Sequence, residues 1–186
     1  VYVSDDGNAR IQKFDANGNF ITKWGTSGTG DGQFLANYGI AIDQAGDIYV
    51  VDSYRGDVQK FDTDGNFITK WGSSGYGDGQ FSFAHGIDID QNGYIYIADS
   101  ANNRVQKFDA NGNFLAKWGT GGMGDGQFDM TGDIAISPTG EIIVTDPFNA
   151  RYQIFSYGSQ SAPSAPPATD LNGDGEVNFF DVSAFL

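Results

Sequence analysis

The 186-residue chain has no cysteine, which removes disulfide frameworks, thiolate zinc sites and thiol nucleophiles from consideration. It has one histidine, His85. A lone imidazole does not furnish a multi-histidine metal site, and no spacing around it argues for a Ser-His-Asp constellation. Basic residues are scarce, with 10 Lys and Arg against 24 Asp and Glu and a net charge of −14. Affinity for phosphate backbones and anionic lipid depends on cations that release counterions, so both are disfavoured as partners. No run of 18 apolar residues occurs, and no segment reads as a membrane-spanning helix. An initiating Met is also missing. The opening Val1-Tyr2-Val3-Ser4-Asp5 aligns with Ile48-Tyr49-Val50-Val51-Asp52, so the chain reads as a piece of a longer protein, with any signal peptide upstream.

What is present suffices for a core: 39% of residues are hydrophobic and 15% aromatic. Glycine, 27 of 186, runs at about twice the usual roughly 7%, and most of it falls in register with a repeat. The block Val58-Gln59-Lys60-Phe61-Asp62 leads through Asp64-Gly65-Asn66-Phe67 and Trp71-Gly72 to Gly77-Asp78-Gly79-Gln80-Phe81. Equivalent blocks start at Ile11, Val105 and, degraded, at Tyr152, so the starts lie 47 residues apart. A fixed period of this length is the mark of an array of one supersecondary unit.

Turn signals divide each unit into four short apolar runs, in the second unit Gly39 to Asp43, Asp47 to Asp52, Val58 to Asp62 and Asn66 to Trp71. Each has ordinary strand length. Asn17-Gly18, Asp64-Gly65, Asn92-Gly93 and Asn111-Gly112 supply the positive φ of tight hairpins, which predicts a four-stranded antiparallel meander. The second run is apolar on both faces, with Ile48 and Val50 on one and Tyr49 and Val51 on the other, as in a sheet sandwiched between two neighbours. A stack of such sheets is a β-propeller; a β-solenoid is the alternative, although its repeats are shorter and carry fewer turn signals.

The third unit, with Gly86-Ile87, Asp90, Gly93-Tyr94-Ile95-Tyr96, Asp99, Asn102, Arg104, Gln106 and Phe108, resembles the NHL repeat. The resemblance covers residues 1–157 and implies a propeller, six-bladed in the intact protein. The second unit departs from the pattern, with Arg55 and Asp57 where the third has Asn102 and Arg104, and the fourth has Ser137 where Asp43 and Asp90 stand. The first unit lacks its innermost strand and the fourth has no recognisable outer strand after Phe155, which leaves about three and a third blades. The fold class expected is therefore all-β, a partial β-propeller, followed by a short C-terminal calcium loop and helix.

Positions that stay constant from unit to unit maintain the blade, and those that vary are free for binding. The variable sets are Leu35/Ser82/Asp129, Ala36/Phe83/Met130, Tyr38/His85/Gly132 and Tyr54/Ala101/Phe148, all at one end of the blades, where ligands of such folds bind. Tyr38, Tyr54, Arg55, Phe83, His85 and Met130 are the expected contact residues; drift of unconstrained loops gives the same pattern. The Asp5/Arg10 and Asp99/Arg104 pairs read as structural salt bridges, and the loop residues Asp31, Asp78 and Asp125 as turn formers, because both sets recur.

Residues 158–168, rich in Ser, Ala and Pro, read as a semi-rigid linker. In the module 169–186, oxygen-bearing side chains at Asp170, Asn172, Asp174, Asn178 and Asp181, the carbonyl of Glu176 and a turning Gly175 match the spacing of a calcium loop. Phe179 to Leu186 is expected to begin the exiting helix. An Asp/Asn/Gly-rich surface turn is the simpler reading of the same residues. The segment resembles the first half of a dockerin, which implies Ca²⁺ as cofactor, a cohesin-like anchoring protein as partner and an extracellular or cell-surface location. The function expected is a secreted, noncatalytic propeller with a protein- or glycan-binding face, anchored by this tail. The alternative is a metal-dependent propeller lyase or lactonase with its site in further blades. A ubiquitin-ligase role would need a Cys-rich zinc module that the chain does not contain.

Overall fold

The computed structural model describes residues 1–157 and 180–182. The predicted units are present as consecutive antiparallel sheets, three-stranded in the first unit and four-stranded in the other three. Blade 1 is built from Tyr2–Asp5, Arg10–Phe14 and Phe20–Trp24; blade 2 from Asn37–Ile42, Ile48–Asp52, Asp57–Phe61 and Phe67–Trp71. Blade 3 follows as Ala84–Ile89, Ile95–Asp99, Arg104–Phe108 and Phe114–Trp118, and blade 4 as Ile134–Ile136, Glu141–Asp146, Arg151–Tyr157 and Phe180–Val182. No helix among the described residues is long and apolar enough to cross a membrane.

The core lies between blades. Ile48, Val50, Phe34 and Phe61 share a cluster with Ile11 of blade 1, whereas Tyr49 and Val51 join Phe81, Ile95, Ile97 and Phe108 on the other side. Tyr96, Ala98, Val105, Phe128, Val144 and Phe155 fill the next gap. Alternate residues of each second strand thus serve two interfaces, as period-2 geometry requires. After each outer strand the chain crosses to the next blade through a glycine-rich loop whose terminal Phe (Phe34, Phe81 or Phe128) is fully buried. Each plug packs on the third-strand Phe of the next blade, with ring centroids 5.6–5.9 Å apart.

The Asn-Gly and Asp-Gly glycines have the positive φ expected of hairpin turns, and the turn is longer than two residues: in Asp62-Thr63-Asp64-Gly65 only Gly65 has positive φ, +87°. Gly65 N–H donates to the Asp62 carbonyl, while the Asp62 carboxylate accepts the Asp64 and Asn66 amides at 2.9 and 2.8 Å. The result is a four-residue turn followed by a bulge at Ile68, the extra residue opposite Lys60-Phe61. The Asn66 side-chain amide, ahead of its backbone N–H, holds the Asp62 pKa below its ordinary value. Glycine is also demanded by packing, since a Cβ on Gly65 would lie 2.6 Å from the Trp24 indole.

One expectation, that of the tail, is corrected. Phe180–Val182 is a strand paired with Phe155–Tyr157, not part of a helix, and it fills the outer position of blade 4 left empty by the 47-residue register. The unpaired edge of Arg151–Tyr157 offers a row of donors and acceptors, and the alternating Phe-Asp-Val sequence suits an added strand. Asp181 lies on this strand; Asp170, Asn172, Asp174, Glu176 and Asn178, like the 158–168 linker, lie outside the described residues.

Candidate functional site

The end of the blades that carries the starts of the inner strands and the loops after the second strands is shaped by two β-bulges. In blade 2 the register runs Asn37↔Asp52 and then Ile40↔Val50, and in blade 3 Ala84↔Asp99 and then Ile87↔Ile97. One extra residue is therefore accommodated at Tyr38-Gly39 and at His85-Gly86. Bulges re-aim side chains, and these bring Tyr38 and His85 together across the blade boundary, with ring centroids 4.8 Å apart. The glycines beside them permit the approach of neighbouring inner strands. A Cβ on Gly39 would sit 2.3 Å from the His85 carbonyl oxygen, and one on Gly86 2.6 Å from the Ile134 nitrogen.

A second ring pair lies at the same end. Tyr54, in the loop after the second strand of blade 2, meets Phe83, in the segment leading into blade 3, edge to face at 5.8 Å. Both are exposed, Tyr54 at 62% and Phe83 at 50%. Phe83 has φ +50° and its counterpart Met130 has φ +59°, a left-handed conformation that costs a bulky L-residue on the order of 1–2 kcal/mol. Strain of this kind at an exposed aromatic is a feature of binding surfaces. Four of the six residues expected from the sequence thus form two adjacent aromatic pairs. Met130, half-buried and tied by its N–H to the Asn103 side chain at 2.7 Å, belongs to the next blade boundary.

Arg55 has a different role. Its side chain is 8% exposed, pairs with Asp57 at 2.7 Å, and donates to the Gly30 and Gln33 carbonyls at 3.0 and 2.7 Å. Arg104 and Arg151 make the equivalent contacts to Gly77 and Gln80 and to Gly124 and Gln127. In blade 2 the guanidinium has moved two residues along the chain but fills the same slot between blades.

The buried carboxylates Asp52, Asp99 and Asp146 fix the loops of this end. Asp52 accepts the Leu35 and Ala36 amides, Asp99 the Ser82 amide and the Asn102, Arg104 and Gln106 side chains, and Asp146 the Asp129 amide together with Asn149 and Arg151. These nodes were visible in the sequence as constant residues, but their downward reach into the preceding loop was not. Phe148, 69% exposed at the position of Tyr54, and Leu35, 43% exposed, extend the apolar surface; both were legible as variable positions. At the opposite end the turns are tied blade to blade, Gln44 donating to the Gln91 carbonyl and Gln91 to that of Pro138.

Chemically, this end offers stacking faces, two phenols and an imidazole on a rigid base. Comparison with known proteins agrees with the architecture. A family model described as "6-bladed beta-propeller" matches residues 44–117, and no curated protein matches the chain in sequence. Among solved structures the chain is similar to a streptogramin B lyase (TM-score 0.62, 16% identity, covering 83% of this chain and 47% of that one). It is also similar to virginiamycin B lyase from Staphylococcus aureus (0.61, 10%, 85% and 48%) and to the WD40 β-propeller domain of Doa1 (0.57, 17%, 84% and 50%). The chain therefore spans about half the length of these structures. It is an all-β, partial β-propeller.

Proposed function

We propose that the chain is part of an NHL-type binding propeller, noncatalytic and extracellular, that presents a protein- or glycan-binding face and is anchored through a calcium-dependent dockerin-like tail. The observation that carries this reading is the pair of aromatic contacts, Tyr38–His85 and Tyr54–Phe83, set side by side at one end of the blades on bulged strands and on a strained backbone. Exposed rings on a rigid base bind with little loss of side-chain entropy and stack on sugar faces or apolar side chains. The tail reading rests on the ligand spacing from Asp170 to Asp181, where Ca²⁺ would take carboxylate, amide and carbonyl oxygens.

The test is binding of the whole chain to glycan and peptide arrays, with Tyr54→Ala and Phe83→Ala alongside. The expected result is a ligand class whose signal is lost in both variants; signals indifferent to both substitutions would remove the face. Calorimetric titration with Ca²⁺, repeated after Asp174→Ala, reads the tail separately, and absence of binding heat removes that part alone. Turnover of a substrate by the chain, dependent on a divalent metal, would replace the binding reading with that of a lyase or lactonase.

A further inference from the structure

Each inter-blade loop is seated on the blade that follows it by one repeated set of contacts. The loops read Gly-x-Gly-Asp-Gly-Gln-Phe at 28–34, 75–81 and 122–128. The third-strand glutamine of the next blade accepts the N–H of the loop's last glycine and donates to the carbonyl of the loop's own glutamine. Gln59, Gln106 and Gln153 do this with Gly32 and Gln33, Gly79 and Gln80, and Gly126 and Gln127, all at 2.7–3.0 Å. An arginine grips the loop carbonyls in all three cases, as described above. In two of them an outer-strand lysine reaches back to the loop aspartate, Lys70 to Asp31 at 2.8 Å and Lys117 to Asp78 at 2.6 Å.

Blade 1 carries the same set in the same register: Arg10, Gln12, Phe14 and Lys23. Among the described residues no loop covers them. Gln12 and Phe14 are partly exposed, whereas Gln59, Gln106, Phe61, Phe108 and Phe155 are fully buried. Among the described residues the Arg10 and Gln12 side chains hydrogen-bond only to Asp5, and Lys23 has no ion-pair partner. We propose that this face is a docking site for one further glycine-rich, acidic loop of the Gly-x-Gly-Asp-Gly-Gln-Phe type. Arg10 and Gln12 take its carbonyls and glycine N–H, Phe14 receives its Phe, and Lys23 pairs with its Asp. The fit is chemical as well as geometric. A loop with one carboxylate and several outward carbonyls meets the guanidinium and ammonium of a chain that is otherwise strongly acidic, and the loop is preorganised by its own Gln, which accepts the N–H of the second glycine in all three copies at 2.9–3.0 Å.

The probe is a peptide copy of residues 72–83 with both ends blocked, so that its Asp is its only carboxylate. A carbodiimide condenses a lysine Nζ amine with that carboxylate to an amide, itself taking up the elements of water as a urea, and mass mapping locates the product. Intramolecular amides Lys70–Asp31 and Lys117–Asp78 report that the chain is folded and the reagent active. The expected product is the Lys23–peptide amide, in about tenfold excess over that from a peptide of scrambled order, falling for Arg10→Ala and Gln12→Ala chains whose thermal unfolding is unchanged. In Lys23→Arg the amide is lost, while the peptide still quenches or shifts the fluorescence of Trp24 in that blade. Equal yield from the scrambled peptide, or product spread evenly over all lysines, overturns the proposal.

Discussion

Asp57 stands where the next two blades carry Arg104 and Arg151, and this exchange makes its ionisation oppose folding. Its side chain is 9% exposed; one carboxylate oxygen meets Arg55 at 2.7 Å and the other, buried, has no hydrogen-bond partner among the described residues. Burial above all raises its pKa from the ordinary 3.8 to about 6, with the Asp52 charge adding to the rise and Arg55 opposing it. Well below pH 4 the carboxyl is protonated in both states and has no effect. Between about 4 and 6 the unfolded chain has released the proton that the folded chain still holds, so stability falls as pH rises, and above 6 the deficit is complete. Two units correspond to about 3 kcal/mol, and residual solvent screening reduces the expected figure to about 2 kcal/mol. Asp57→Asn removes the charge at nearly constant shape. Urea unfolding followed by tryptophan fluorescence should find variant and parent nearly equal at pH 4 and the variant more stable by about 2 kcal/mol at pH 7.5. A gap that does not grow with pH, or a less stable variant at pH 7.5, would refute the reasoning.

Phe81→Ala empties a fully buried plug between blades 2 and 3 and should cost about 3–5 kcal/mol in the same unfolding assay. Gly39→Ala drives a methyl to within 2.3 Å of the His85 carbonyl; backbone cannot yield as a flexible side chain does, and a loss of about 1–3 kcal/mol or more is expected, read as a lowered melting temperature. Phe83→Gly is expected to stay within about 1 kcal/mol of the parent, because relief of the left-handed backbone offsets the lost Tyr54 contact and the added chain entropy. The same substitution at Phe114, on an outer strand and without a positive φ to relieve, should be clearly destabilising.

The blades were legible because the 47-residue period, the two-faced second strand and the Gly punctuation all repeat, so a chance match at one copy is corrected by the others. Turn chemistry was only half legible. Glycine marked each turn, but the Asp three residues before it, whose carboxylate organises the loop amides, decided that the turn has four residues. The site was harder to read. Tyr38, His85, Tyr54 and Phe83 were found through their variation, yet nothing in strand periodicity announces a bulge, which appears only when two strands are set in register. Arg55 looked like a departure on an exposed loop. Its burial depends on carbonyls some two dozen residues earlier in the chain, a relation that local pattern does not carry. The helix expected after Phe179 followed from calcium-loop spacing, whereas the open edge of Arg151–Tyr157 recruits Phe180–Val182 as a strand.

The seating of every loop on the blade that follows it has a consequence in time. A loop such as Gly75–Phe81 is made before the Arg104 and Gln106 that hold it, which lie about 27 residues downstream. At a synthesis rate of about 5–20 residues per second, the nascent loop and its Phe wait roughly one to five seconds for their clamp. Growth from the amino terminus therefore leaves one plug at a time uncovered, and each new blade buries the one its predecessor left behind.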